Sequence, residues 1–221
     1  MSLRLRAGLS WCICGDRAVF LDLARDRYFM LPERSDPAYR AWAAGEVAEP
    51  SALDRLVSAG ILVGGEGDSE DPRRGPTTCP PARRDLASVA SSRTRPGDLA
   101  SAGIEQLRAR LALRRTPVAI LLARIAAGCT GRLVSDPDDS GLRRIAEAFE
   151  ALTKILRAED ECLPRAIAAR WMCDRRNLAA TLVLGVRLDP FSAHSWVQAG
   201  DAVIVGDLEQ VRLFTPVLVV P

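Results

Sequence analysis

Apolar positions follow two rhythms along this chain. Up to Leu31 they come in short runs, at Trp11–Ile13, Ala18–Asp22 and Arg27–Leu31, separated by Gly15-Asp16 and by residues 24–26. Val19 and Leu21 alternate with Phe20 and Asp22, which predicts three antiparallel strands, the third stopped by Pro32. The spacing then changes to threes and fours. Asp36 can cap a helix with Pro37 at its first position, running to about Ala44 with Tyr39 and Trp42 three apart. Ser51 can cap a second helix, Ala52–Ala59, with Leu53, Leu56 and Val57 on one face and Gly60 at its end. A short strand at Ile61–Val63 closes this part.

Between Gly64 and Gly97 the apolar signal fades into Gly, Pro, Ser, Asp and Arg. Such a stretch cannot bury enough surface to fold alone, so it reads as a linker with Cys79 exposed in it. The predicted organisation is therefore a domain at 1–64, a linker at 65–97 and a domain at 98–221. In the last, Ile104–Leu113 and Pro117–Ala127 read as helices, the second apolar nearly all round and so expected to be buried. Leu142–Arg157 carries Ile145, Phe149, Leu152 and Leu156 in line, the stripe of an amphipathic helix.

Pro164 belongs in a first helical turn, because it lacks an N–H. It predicts a helix starting near Asp160–Cys162, with Leu163, Ile167 and Trp171 on one stripe and Cys173 beside it. Asn177 can close this helix in the left-handed conformation. Ala180–Val186 then reads as a buried strand, and Ser192–Gln198 and Ala202–Asp207 as two more joined at Gly200-Asp201. The fold class is α+β, with helices packed on a small antiparallel sheet.

Composition narrows the chemistry. The chain has 221 residues, enough for one large or two small domains, and a net charge of +2, too near neutral to argue for a nucleic-acid or membrane partner. Val118–Ala127 is too short to span a bilayer and is broken by Arg124. No N-terminal apolar core marks a signal peptide, so a cytoplasmic protein with free thiols is expected. Cys12-x-Cys14 lacks a complementary pair, and with one histidine in the whole chain no metal site is expected. No phosphate-binding loop or dinucleotide fingerprint occurs, and no cofactor is expected.

That single histidine, His194, is the only imidazole available to any cysteine or serine hydrolase chemistry. Cys162 opens a helix, where the dipole and free N–H groups favour a thiolate, while Glu159, Asp160 and Glu161 oppose it. A two-residue turn at Gly200-Asp201 sets His194 directly opposite Asp207, with Cβ atoms about 5 Å apart. Cys162, His194 and Asp207 then form a nucleophile, a base and an orienting acid. The ordinary alternative for each alone is a core cysteine, a structural histidine and a turn-capping aspartate.

The same residues carry a resemblance. Cys-Leu-Pro-Arg-Ala at 162–166, Leu-Gly-Val at 184–186, Pro-Phe-Ser-Ala-His-Ser-Trp-Val at 190–197 and Asp207 resemble the B proteins of lasso-peptide biosynthesis. These are transglutaminase-like, papain-like cysteine peptidases that remove the leader from a ribosomally made precursor. The resemblance covers Leu86 to Pro221 and departs at Asn177, where many members carry glycine. It implies Cys162 as nucleophile, His194 as base and Asp207 as orienting group. It also implies a lasso-peptide precursor as partner and a separate ATP-dependent cyclase acting afterwards.

Residues 5–64 resemble the small winged-helix-like recognition domains of ribosomal-peptide pathways, through the strand triplet, Tyr28-x-x-Leu31 and the Leu56-to-Leu62 helix end. Such domains take a leader peptide as an extra strand, by backbone pairing with side-chain pockets. Arg27, Tyr28, Phe29 and Met30 on the third strand and Arg55 on the helix are the candidate leader-binding residues. The competing functions are a transglutaminase-type acyl transferase using the same thioester, and a leader-binding chaperone with an inert triad.

Overall fold

A computed structural model describes residues 2–65, 77–87, 94–128, 140–155 and 161–221. The chain divides into two compact units, Met1–Thr77 and Thr78–Pro221.

The first unit holds β1 (Ser2–Leu5), β2 (Leu9–Cys14), β3 (Arg17–Asp22), β4 (Arg27–Met30), α1 (Asp36–Ala44), α2 (Pro50–Ser58) and β5 (Leu62–Gly65). β2, β3 and β4 form an antiparallel meander in which β4 is an edge, and β1 pairs with β5. Sequence patterning missed β1, since four residues carry too little alternation. The meander buries Trp11 and Phe20 against Tyr39 and Trp42 of α1 and Leu56 of α2. Tyr39 stands edge-on to Trp11 with centroids 5.0 Å apart, a preferred aromatic geometry. Asp36 is not the cap of α1. It is a buried first residue whose Oδ1 accepts the Ala18 N–H at 2.9 Å, fixing the helix to β3. Nor does Ser51 cap α2, which starts at Pro50 after Glu49.

The second unit is built from β6 (Arg84–Asp85), α3 (Pro96–Arg115), α4 (Val118–Ala127), α5 (Ser140–Ile155), α6 (Cys162–Arg175), β7 (Thr181–Arg187), β8 (Ser192–Ala199), β9 (Ala202–Val205), α7 (Leu208–Val211) and β10 (Thr215–Val220). Its sheet runs β10-β7-β8-β9-β6, antiparallel except for β6 on β9. Two expectations change here. Residues 78–87, predicted as linker, belong to this unit: Arg84 and Asp85 extend its sheet, and Cys79 is half-buried against the Val183–Trp196–Val203 cluster. Elsewhere in the predicted linker, Gly65 ends β5, Thr77 belongs to the first unit and α3 already starts at Pro96, while 66–76 and 88–93 lie outside the described residues. And α4 is not buried all round, because only Leu121, Leu122 and Ile125 are covered while Ile120 is 45% exposed.

α6 is the central helix, covered by α3, α5 and β8. Small residues allow this: Ala166, Ala168 and Ala169 are fully buried with Ile167. The predicted stripe through Leu163 and Trp171 is only half-buried, so crowding rather than a narrow apolar face defines the helix. Asp98 near the start of α3 clamps the bundle, accepting from Arg144 of α5 at 2.9 Å and from Arg176 beyond α6 at 2.6 Å. Burial by itself would raise its carboxyl; the two guanidiniums hold it below the usual range. Asn177, with φ at 56°, ends α6.

Candidate active site

Cys162 is the first residue of α6. The N–H groups of a first helical turn have no partner within the helix, so Cys162 lies at the positive end of the helix dipole. Its neighbour Glu161 does not act as a bare negative charge. Its carboxylate is held by Arg110 and Gln106, both on α3. The opposition expected from Glu161 is thus largely compensated; Glu159 and Asp160 lie outside the described residues.

His194 lies on β8, paired with Gly185 of β7. Its ring has Trp196 on one side, with centroids 6.3 Å apart, and Phe214 at 5.2 Å. Trp196 is itself fixed: its Nε1–H donates to Gln198 Oε1 at 2.7 Å, and Gln198 donates to Pro80 O and Gly200 O. The strap at 78–87 therefore supports the wall on which the imidazole rests.

Cys162, His194 and Ser195 line one cleft of about 640 Å³, with Glu161, Arg165, Arg187, Gly206, Gln210 and Phe214 among the other walls. Burial alone would raise the Cys162 thiol. The imidazole of His194, with the hydroxyl and N–H of Ser195, outweighs burial and brings it from 9.0 to about 7. Cys12 and Cys79 move the other way, pushed up by burial to about 12 and about 11. His194 Nε2 is buried and makes no hydrogen bond among the described residues. Catalytic contacts are commonly loose before substrate binds.

Asp207 is not where the sequence placed it. The turn at Gly200-Asp201 has the predicted length, and Ala199 faces Ala202, but a bulge shifts the register so that Val197 faces Val205. β9 ends there, so His194 has no cross-strand partner on that side. Asp207 instead caps α7: it is exposed, and its Oδ1 accepts N–H bonds from Glu209 at 2.9 Å and Gln210 at 3.2 Å. A one-residue slip is enough to redirect every side chain beyond it.

Sequence reasoning also passed over Ser195, Arg165, Arg187 and Gly206. The available signals were two arginines within reach of the Cys162 and His194 motifs and a glycine just before Asp207. Gly206 has φ at 133°, and a Cβ there would lie 2.9 Å from Trp196 Cβ. Among the described residues, no group of three or more His, Cys, Asp or Glu side chains could hold a metal ion.

In the first unit, Arg27, Tyr28, Phe29 and Met30 make up β4, which pairs with β3 alone among the described strands. Phe29 stacks on Phe20 at 5.1 Å, Arg27 lies 5.6 Å over the Phe29 ring, and Met30 is 43% exposed. Arg55, on α2, donates to Ser51 Oγ at 3.4 Å.

A stretch of 46 residues is 44% identical to the microcin J25-processing protein McjB of Escherichia coli, covering 21% of this chain and 22% of that protein. The chain therefore aligns with about a fifth of this relative's length. No solved structure gives a significant match. Residues 103–219, more than half of the chain and every element from α3 to β10 that builds the cleft, match the transglutaminase-like superfamily, and the chain belongs to that family.

Proposed function

We propose that this protein is a cysteine endopeptidase that removes the leader from a lasso-peptide precursor. The observation that carries the reading is the thiol at the head of α6, brought to about 7, in one cleft with the only histidine of the chain. The Cys162 thiolate attacks the scissile carbonyl while the protonated His194 waits beside it. The N–H at Cys162 is placed to receive the developing oxyanion. His194 passes its proton to the leaving amine, the C–N bond breaks, and a thioester remains. A water molecule, deprotonated by the same imidazole, then hydrolyses the thioester and restores the thiol. Asp207 is the proposed orienting carboxylate. To serve, it must leave its cap on α7 for the unpartnered His194 Nε2, and Gly206 and Gln210, close to it in sequence, line the cleft.

The first unit would hold the leader as a fourth strand on β4, with Arg27, Tyr28, Phe29 and Met30 facing it and Arg55 from α2. Tethering raises the local concentration of the cleavage site, which accounts for joining two units in one chain. The processing named for McjB fits this reading, as does a cytoplasmic site of action before a separate ATP-dependent cyclase. Family membership also favours acyl transfer to an amine through the same thioester.

Incubating the protein with precursor peptides and reading product masses separates these. Two fragments differing from the precursor by one water support the peptidase, and loss of ammonia on cross-linking supports acyl transfer. Cys162→Ala and His194→Ala should abolish cleavage while leaving precursor binding intact. Cleavage near wild-type rate in either would refute the assignment, and processing that needs neither would leave a leader-binding chaperone.

A further inference from the structure

The cleft carries more positive charge than the chemistry at Cys162 requires. Of its lining residues only Glu161 is acidic, and that carboxylate is already matched by Arg110 and Gln106. Arg187 remains without a carboxylate partner among the described residues, and Arg165, in the field of Glu161 and Glu150, adds a further positive charge. Arg165 follows Cys162 by one helical turn, is half-buried, and has its guanidinium pKa lowered chiefly by burial. Arg187 ends β7 opposite Ser192, two positions from Gly185, the partner of His194. Its guanidinium lies 5.4 Å over the Phe214 ring, the same ring that packs on the imidazole. Its Nε is buried with no hydrogen-bond partner, and no carboxylate among the described residues pairs with it. A guanidinium held over an aromatic face by a cation–π contact keeps N–H donors available, the fork that a carboxylate fits.

We infer that Arg187, with Arg165 lining the same cleft, forms a carboxylate subsite beside Cys162, selecting peptides with an acidic group close to the bond attacked. The inference rests on the peptidase reading for its substrate class. The group can be the side chain of Asp or Glu or the terminal carboxylate of the peptide, and the same chemistry serves both. A partly desolvated fork rejects the uncharged amide isostere, because its donors are then left unpaired.

The test uses the full chain and precursor-derived peptides with Asp or Glu exchanged for Asn or Gln at each position flanking the cleaved bond, with free or amidated C-termini. Wild type should prefer the acid at one position by about 10- to 100-fold in kcat/KM, mostly through KM. Loss of the preference on amidation alone would identify the terminal carboxylate as the group bound. Arg187→Gln should bring the ratio towards unity, and Arg187→Lys should keep part of it, as charge without the fork. Binding of the same peptides to Cys162→Ala reads the preference without turnover, so a failure of the peptidase reading is distinguished from a failure of the subsite. Equal binding of acidic and amide peptides, or an equal loss for both in Arg187→Gln, would overturn the inference.

Discussion

Gly185 lies directly across the β7–β8 ladder from His194, and its missing Cβ is the space into which two aromatic side chains close on the imidazole. A Cβ at 185 would stand 2.7 Å from Trp196 Cζ3 and 3.0 Å from Phe214 Cβ. One contact is with a buried ring and the other with a Cβ next to the backbone, neither a flexible tip, so something must shift. Gly185→Ala should therefore destabilise by about 1–3 kcal/mol, as overpacking does, and also slow turnover by tilting His194. Urea melts alongside cleavage rates check both; an unchanged melt with an unchanged rate would show that the rings do not position the base.

The thiol of Cys162 should be alkylated by iodoacetamide with a pH midpoint of about 7. His194→Ala removes a charge partner and should move the midpoint up. Arg110→Ala frees the Glu161 carboxylate beside the sulfur and should move it up as well. A midpoint at the ordinary thiol value in wild type would contradict the acidified pair.

The same shift fixes a sign for stability. The folded thiol is more acidic than the unfolded one, so its contribution is fully present above the unfolded thiol pKa and is lost as pH falls through about 7. Relative to Cys162→Ala, wild type should gain stability as pH rises from 7 towards 9, the window between folded and ordinary values. Thermal melts across that window test it, and parallel curves for the two proteins would exclude it.

Asp207 caps α7, and its proposed orienting role can be separated from that cap. Asn caps a helix about as well as Asp, so Asp207→Asn should leave the melting temperature nearly unchanged. Loss of the negative charge should still lower kcat by an order of magnitude or more, though less than Cys162→Ala or His194→Ala. Asp207→Ala should lose the cap as well and melt lower. If Asp207→Asn turns over like wild type, the residue is a cap and nothing else.

On β4, Tyr28→Ala and Met30→Ala should raise KM for the full precursor about fivefold or more, with little effect on a short peptide spanning the cleavage site. Equal effects on both substrates would place the defect in folding rather than docking.

Much of this protein was legible without coordinates. The alternation at Val19–Asp22 and the threes and fours after Leu31 located most elements to within a few residues, because periodicity reports which side of an element meets the core. Pro164 placed Cys162 at a helix start, since only an early turn tolerates the missing N–H. The sole histidine needed no structure at all to be singled out. β1, β6 and β10 were not read, being two- to six-residue strands whose pairing partners are remote in the chain.

What only the tertiary structure decided was how side chains meet across elements. The bulge between Val197 and Gln198 moved Asp207 from facing His194 to capping α7, and no local pattern announces one extra residue in a ladder. The partners of Glu161 come from α3, more than fifty positions away, and the arginine over Phe214 comes from the end of β7. Periodicity in a sequence constrains each element against a generic core, whereas charge compensation and ring packing depend on which particular neighbours arrive. That is why Cys162 and His194 could be singled out from the order of residues, while the place of Asp207 and the positive wall of the cleft had to await the folded chain.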